Sequence, residues 1–252
     1  MQVKESRGLL VQVQGNGTLD REEQLMADLA VKYGLPVERA STGQVERSRI
    51  RLGEGCVAVG SVPFVKHALR QIGMELPIHT PYPSCLEHLL YRQVRRLSSL
   101  REARAMVTAG RRLFIKPADG WKRFTGFVAE FVDDPRFNGQ SKARPVWISD
   151  PVRFVSEWRA YVADGELLEV RFADHGGDRT VEPDVILIGD AINALTKEGQ
   201  APAGYVIDFG VLHTGETALI EMNDGFSFGA YEGVSPETYW KVVVRRWQEL
   251  TA

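Results

Sequence analysis

Cysteine is scarce in this chain: Cys56 and Cys85 are the only two in 252 residues, and they fit no zinc-ligand spacing. The five histidines, His67, His79, His88, His175 and His213, form no ligand pattern either. No apolar run approaches the roughly 20 residues that cross a bilayer, and the start MQVKESRGLLVQVQ lacks a cleavable signal pattern. Neither charge sign prevails, since 31 Lys and Arg face 33 Asp and Glu for a formal net charge of -2. Bulk attraction to nucleic acid or to an anionic membrane is therefore not expected. Internal repeats and low-complexity segments are missing too. The expectation is a cytoplasmic protein with reduced thiols. GNG at 15–17 lacks the third glycine of a dinucleotide fingerprint and reads as a turn, and no G-x-x-x-x-G-K phosphate loop occurs anywhere.

What is present suits a folded protein: 44% hydrophobic and 25% charged residues, at a length for one large domain or two modest ones. The first third alternates strand and helix signals. LLVQVQ (9–14) alternates like a strand, and DREEQLMADLAVKYG reads as a helix with Asp20 as N-cap and Gly34 as its stop. CVAVG (56–60) is a short buried strand, followed by a helix in VPFVKHALRQIG. This predicts a small α/β layer with parallel pairing. Gly60–Ser61 opens that second helix, where either a carboxylate site or a plain strand–helix turn fits. CLEHLLYRQVRRLSSLREARAMVTAG predicts one or two helices, with a domain boundary near residue 100. Beyond it, strands are expected in RLFIKP (112–117), FVAEFV, RPVWIS (144–149) and two hairpins. DVILIGDAINALTKEG leads into a helix, and a last helix follows in SPETYWKVVVRRWQEL, capped by Ser235 with Pro236 in its first turn.

The hairpin YVIDFGVLHTGETALIEMND (205–224) raises a problem of charge. A two-residue turn at Thr214–Gly215 pairs His213 with Glu216 and hence Asp208 with Glu221. Tyr205, Ile207, Phe209, Val211, Ala218, Ile220 and Met222 then share a core face, while Asp208, Glu221 and Asn223 share the other. Directly opposed like charges destabilise a sheet pair. Either a divalent cation on oxygen ligands compensates them, or the face is solvated and holds nothing. With the cation absent, removing either acid should relieve repulsion.

Two further stretches carry charge. Lys116 ends the apolar strand of FIKPADGWKRFTGF, and the loop after it offers Lys122, Arg123, Thr125 and Gly126 for a phosphate; a surface hairpin with solvated lysines fits the same residues. In SEWRAYVADGELLEVRFADH, a three-residue loop Ala163–Gly165 pairs Arg159 with Glu169 and Glu157 with Arg171. Wet salt bridges or an arginine pair poised for phosphate or carboxylate are both compatible with it.

The order of these pieces is more specific than any one of them. A strand ending Ile-Lys-Pro, a polar hairpin, a strand ending at a hinge, an E-x-R hairpin, then an Asp thirteen residues before E-x-N together resemble the ATP-grasp superfamily over 101–252. EWRAYV, VRF and KRFTG resemble most the clade defined by two arginines and a lysine. That clade also holds the translation-initiation assembly factor of the cell-division-cycle type. The first segment, 1–100, resembles the Rossmann-like pre-ATP-grasp domain. The implied fold class is α/β (α+β), an ATP-grasp fold preceded by that small domain.

The resemblance also implies roles. Lys116 would reach the α- and β-phosphates of ATP, with Lys122 and the backbone at Thr125–Gly126 covering them. Trp147, Ser149 and Asp150 would lie at the adenine hinge, and Glu157 at the ribose. Arg159 and Arg171 would face the γ-phosphate and the acceptor. Asp208, Glu221 and Asn223 would bind Mg2+, two ions in all. The implied activity is an ADP-forming carboxylate–amine ligase acting through an acylphosphate on a small carboxylate and amine or a peptide end. Two alternatives stand beside it: an ATP-binding assembly factor that performs no ligation, and a small-molecule kinase. His175, in the glycine loop after Arg171, would contact substrate or be a plain loop histidine. Asp224-Gly225-Phe226-Ser227 departs from the loop many ligases carry after the Asn, so analogy names no acceptor.

Overall fold

The computed structural model describes residues 6–78, 80–118, 124–173 and 177–252. Along the chain run β1 (Gly8–Gln12), α1 (Arg21–Lys32), β2 (Val37–Ala40), α2 (Thr42–Glu46), β3 (Cys56–Val59), α3 (Val62–Gln71), β4 (Val94–Leu97), α4 (Leu100–Thr108), β5 (Leu113–Pro117), β6 (Phe127–Ala129), β7 (Val146–Ser149), β8 (Phe154–Ala163), β9 (Glu166–Phe172), α5 (Val185–Lys197), β10 (Gly204–Leu212), β11 (Thr217–Asp224) and α6 (Pro236–Thr251). They pack as two compact units, residues 1–87 with 155–252, and residues 88–154. These units interleave along the chain.

The larger unit holds two sheets. The first has the order β2-β1-β3, parallel throughout as expected. Leu9, Leu10 and Val11 are all buried, because helices cover both faces of a parallel sheet and alternation is lost. At the start of α3, the Ser61 amide (2.8 Å) and hydroxyl (2.7 Å) both donate to Oε1 of Gln12. A side chain on Gly60 would collide with Gln12 and Phe64. The plain strand–helix turn is therefore what forms there.

The second sheet runs β11-β10-β8-β9. All nine residues of β10 are buried. α6 packs on β10 and touches α1 and β3, which ties the two sheets of this unit together. Contact between α6 and β10 is so close that a methyl group on Gly204 would overlap the Val242 carbonyl. The Arg246 guanidinium on α6 forks onto Asp224 at the end of β11, with Nε and Nη2 each 2.6 Å from a carboxylate oxygen. Both residues are buried, at 7% and 6% exposure. Burial opposes the charge of Arg246, but its hydrogen bonds to Asp224 outweigh that and hold the guanidinium pKa above its ordinary value. Arg246 also donates to Glu249 (2.6 Å), which takes the Ala203 amide (2.8 Å). Ser235 caps α6 as expected, accepting from the Thr238 amide.

The smaller unit is an antiparallel sheet, β4-β7-β5-β6, with α4 beside it. Its core is built from Leu100, Ala103 and Val107 of α4 against Leu113, Ile115, Phe127, Val146 and Ile148 of the sheet. β4 corrects an expectation, since VRRL lies inside a stretch read as helical. Pairing with β7 overrides the helix-like pattern there. Helix α4 starts after Ser99, whose side chain accepts from the Glu102 amide. Ser-x-x-Glu at 99–102 was the available signal that the helix begins late.

Truncating Asp224 to Ala removes the forked partner of a buried guanidinium and leaves it the pair with Glu249, and the expected cost is about 3 kcal/mol, the low end for breaking a buried pair. Urea denaturation of Asp224→Ala against wild type measures this. An unchanged midpoint would mean that the pair does not hold α6 on the sheet.

Candidate active site

The acids of the β10–β11 hairpin sit where the sequence placed them. Asp208 lies opposite Glu221 and Val206 opposite Asn223. The turn, however, is one residue longer than expected. The Leu212 amide donates to Glu216 (2.8 Å), the Gly215 amide to Leu212 (2.9 Å), and Gly215 takes φ +102°. The loop is thus His213–Gly215, with glycine where φ must be positive. A bulge beside Asp208 and Phe209 absorbs the extra residue, so Phe209 faces Leu219 instead of Ile220. Leu219 is buried at 1% exposure, and Ile220, on the bulge, is half-buried.

Glu221 and Asn223 are half-buried, while Asp208 is itself buried at 8% exposure. Its first compensating charge is a guanidinium. Arg159, on the neighbouring strand β8, donates from Nε to Oδ1 and from Nη2 to Oδ2, each at 2.7 Å. Burial opposes the charge of Arg159, yet Asp208 outweighs it and keeps the guanidinium pKa above its ordinary value. Asn223 ties the two acids, donating from Nδ2 to Glu221 (3.0 Å) and Asp208 (3.3 Å). The expectation that loss of either acid relieves repulsion is therefore corrected for Asp208, whose removal would strand a buried cation.

These residues fit a hard divalent cation in donor chemistry. The acids supply only oxygen and two negative charges, and after the Arg159 fork and the Asn223 amide it is Asp208 Oδ1 that keeps a second lone pair. Among the described residues no group of three or more His, Cys, Asp or Glu side chains could hold a metal. Asn223 turns its NH2 toward both acids, and ligation through its Oδ1 would require the amide turned over.

The arginine hairpin differs in register from the expectation. Its turn has two residues, Asp164 and Gly165, at φ +53° and +74°, the pattern of a type I′ turn. Arg159 accordingly faces Arg171, and Tyr161 faces Glu169, with a bulge after Tyr161. The expected pairs Arg159–Glu169 and Glu157–Arg171 are displaced. Two cations directly opposite repel, and each turns to a different acid: Arg159 to Asp208, and Arg171 to Glu169 at 2.8 Å. Glu169 is held in turn by the hydroxyls of Ser235 and Thr238 at the start of α6. Burial raises the Glu169 pKa, but hydrogen bonds from Ser235, Thr238 and Arg171 win and hold it below its ordinary value.

In the smaller unit, Lys116 on β5 lies directly opposite Trp147 on β7. A side chain at Gly126 would meet Phe114 at 2.5 Å and the Lys116 Cβ at 3.2 Å, so glycine is what lets the chain pass over the lysine stem. Ser149 is buried and pairs with Phe114 and Val94, Thr125 is exposed, and Asp150 is exposed 3.4 Å from Arg111. Glu157 on β8, in the larger unit, is half-buried. Lys122 and His175 lie outside the described residues. The larger unit thus brings Arg159, Asp208, Glu221 and Asn223 into one bonded cluster with Arg171 opposite Arg159, and the smaller one sets Lys116, Trp147 and Gly126 side by side. Sequence reasoning missed Gly229 and Tyr231, which meet Arg159, and Glu22, which holds the loop that carries them. The departure noted at 224–227 was the only pointer to that loop.

The profile of an ATP-grasp domain, family 2 of the clade named for two arginines and a lysine, matches residues 90–242. No curated protein sequence matches the chain. Among solved structures, the RimK domain ATP-grasp protein from Sphaerobacter thermophilus DSM 20745 is similar at 13% identity and TM-score 0.60, covering 96% of this chain and 100% of that one. D-cycloserine synthetase DcsG is similar at 14% identity and TM-score 0.54, with 95% and 100% covered. The ATP-grasp ligase PsnB, complexed with a minimal precursor, is similar at 13% identity and TM-score 0.53, with 95% and 99% covered. At such identities the likeness shows the fold.

The depressed pKa of Glu169 gives a pH signature. The stability it contributes is fully present above its unfolded-state pKa of roughly 4.3 and is lost as pH falls through the lower folded value. Glu169→Gln should therefore melt below wild type at pH 7, with the gap closing under acid conditions. Melts of both proteins from pH 7 to pH 3 test this, and a gap that persists undiminished at acid pH would show that Glu169 is not the titrating group.

Proposed function

The chain belongs to family 2 of the two-arginine, one-lysine clade of ATP-grasp domains, and on that premise we propose an ATP- and Mg2+-dependent ligase that joins a carboxylate to an amine through an acylphosphate. The observation that carries this reading is the bonded cluster of Asp208, Glu221 and Asn223 with Arg159, opposite Arg171. It assembles charges for phosphate and cation chemistry, and no side-chain nucleophile stands within it. An oxygen of the substrate carboxylate attacks the γ-phosphorus and ADP leaves. The amine then attacks the acyl carbon, and inorganic phosphate leaves.

Mg2+, two ions in this reading, would supply neutralisation of phosphate charge. Asp208 and Glu221 would hold it, with Asn223 as a third ligand through a turned amide. Lys116 takes the α- and β-phosphates, and Lys122 with the backbone at Thr125–Gly126 covers them. Trp147, Ser149 and Asp150 serve the adenine, and Glu157 the ribose. Arg159 and Arg171 stabilise charge at the phosphoryl group, directly or through their acids. Residues 1–100 form the segment that precedes the ATP-grasp part, 101–252. Small carboxylates with amines, or a peptide end, are the substrate class; the solved ligase PsnB is described with a precursor. No described helix is long and apolar enough to cross a membrane, and we place the enzyme in the cytoplasm.

One observation favours a second reading, an ATP-binding assembly factor. The helix start at Gly60–Ser61, the candidate carboxylate site of the first segment, has its Ser61 amide and hydroxyl engaged by Gln12.

Incubation with Mg2+-ATP and a pool of amino acids and peptides, followed by nucleotide and mass analysis, should give ADP, phosphate and a condensation product. AMP and pyrophosphate would sink the acylphosphate route, ADP with a stable phosphorylated product would indicate a kinase, and tight ATP binding without turnover an assembly factor. By calorimetry, Lys116→Ala should bind ATP about tenfold or more weakly, the size of one charge-assisted hydrogen bond. Equal binding would remove Lys116 from the site.

A further inference from the structure

We propose that the two arginines divide their labour. Arg159 is a positioning residue that fixes the Asp208 carboxylate for its cation, and Glu22 and Tyr231 brace it. The phosphoryl-facing cation is then Arg171. This rests on the metal role of Asp208 proposed above.

The engagement of Arg159 is the first argument. Nε and Nη2 fork onto Asp208 at 2.7 Å, Nη1 donates to the Gly229 carbonyl at 2.9 Å, and the Tyr231 ring covers one face of the guanidinium at 4.2 Å. All three nitrogens are engaged, and the side chain is 8% exposed. Swinging it toward a phosphate would break the fork, abandon the ring and leave Asp208 opposed to Glu221. Arg171 is placed differently: its side chain is 40% exposed, and it meets Glu169 through one edge. A planar guanidinium held on one edge presents the other to an anion.

The loop that supplies Gly229 and Tyr231 is itself pinned. The Ala230 amide donates to Glu22 Oε1 on α1 at 2.8 Å. The Tyr231 amide donates to the Tyr161 hydroxyl at 3.0 Å, and the Tyr239 hydroxyl to the Phe228 carbonyl at 2.8 Å. Those three bonds hold residues 228–231 from α1, β8 and α6. The Gly229 carbonyl therefore stays where Arg159 meets it, and the orientation of Asp208 depends on a residue of the first helix. Partners that orient a metal ligand in this way typically change metal affinity about 10- to 100-fold when removed.

Binding of Mn2+, measured by electron paramagnetic resonance with ADP present, tests the assignment without turnover. Asp208→Asn should abolish tight Mn2+ binding. Arg159→Lys should weaken it about 10- to 100-fold and leave metal-free ADP binding unchanged. Glu22→Ala and Tyr231→Leu should weaken it to a smaller extent in the same direction, with Tyr231→Phe restoring wild-type binding because the ring remains. Arg171→Lys should leave Mn2+ affinity intact while lowering kcat. Unchanged Mn2+ affinity in Arg159→Lys, with ATP affinity lost, would overturn the proposal and make Arg159 a phosphate ligand. Should Arg159→Lys fail to fold, Glu22→Ala and Tyr231→Leu decide the matter in the same assay. Tight Mn2+ binding retained by Asp208→Asn would instead overturn the metal role on which this inference stands.

Discussion

Asp208 faces Glu221 across a strand pair, on a strand, β10, that is buried along its whole length. A carboxylate in that position survives only if a cation reaches it, since burying an unpaired charge costs several kcal/mol. Arg159 is that cation, and it comes from the adjacent strand of the same sheet. The side chains around Arg159 then have little freedom. The Gly229 carbonyl and the Tyr231 ring lie where its remaining nitrogen and its face require them. The loop that carries them is anchored to α1, β8 and α6. One ion pair thus couples the acid hairpin, the arginine hairpin and the first helix of the larger unit.

Two β-bulges give this arrangement its register. In each hairpin one extra residue sits on the second strand, between the turn and the charged pair. Beside Asp208 the bulge lets a three-residue turn coexist with the Asp208–Glu221 pairing. After Tyr161 the bulge, with a two-residue turn, sets Arg159 against Arg171. That opposition is unfavourable by itself. It is resolved because each arginine has a different acid within reach, Asp208 on β10 for one and Glu169 on β9 for the other. Arg159 thus ends buried and Arg171 40% exposed.

The ends of α6 serve the same sheet in another way. Its first turn grips Glu169 through Ser235 and Thr238, and farther along Arg246 grips Asp224. Asp224 stands directly after the E-x-N acids and looks by position like another ligand. Its fork with Arg246 makes it a structural residue, whose carboxylate holds β11 to the helix.

Much was legible from residue order alone. Period-two alternation, glycines at turns and Ser-Pro at the start of α6 fix where most elements lie. The charged motifs, in their order and spacing, named the family that the match over residues 90–242 shows, while Asp208 meets Glu221 because a bulge offsets a turn one residue longer than the sequence suggested. Only the tertiary structure decided what each charge does. β4 became a strand because β7 was there to pair with it. Arg159 left its expected partner Glu169 for Asp208, because a neighbouring strand distant in sequence brought a buried carboxylate to it. Glu22 lies 208 residues from Ala230, and no local pattern can signal such a contact. Local sequence sets period, caps and turns within a few residues, whereas the partner of a buried charge is chosen by which strands and loops the whole fold brings beside it.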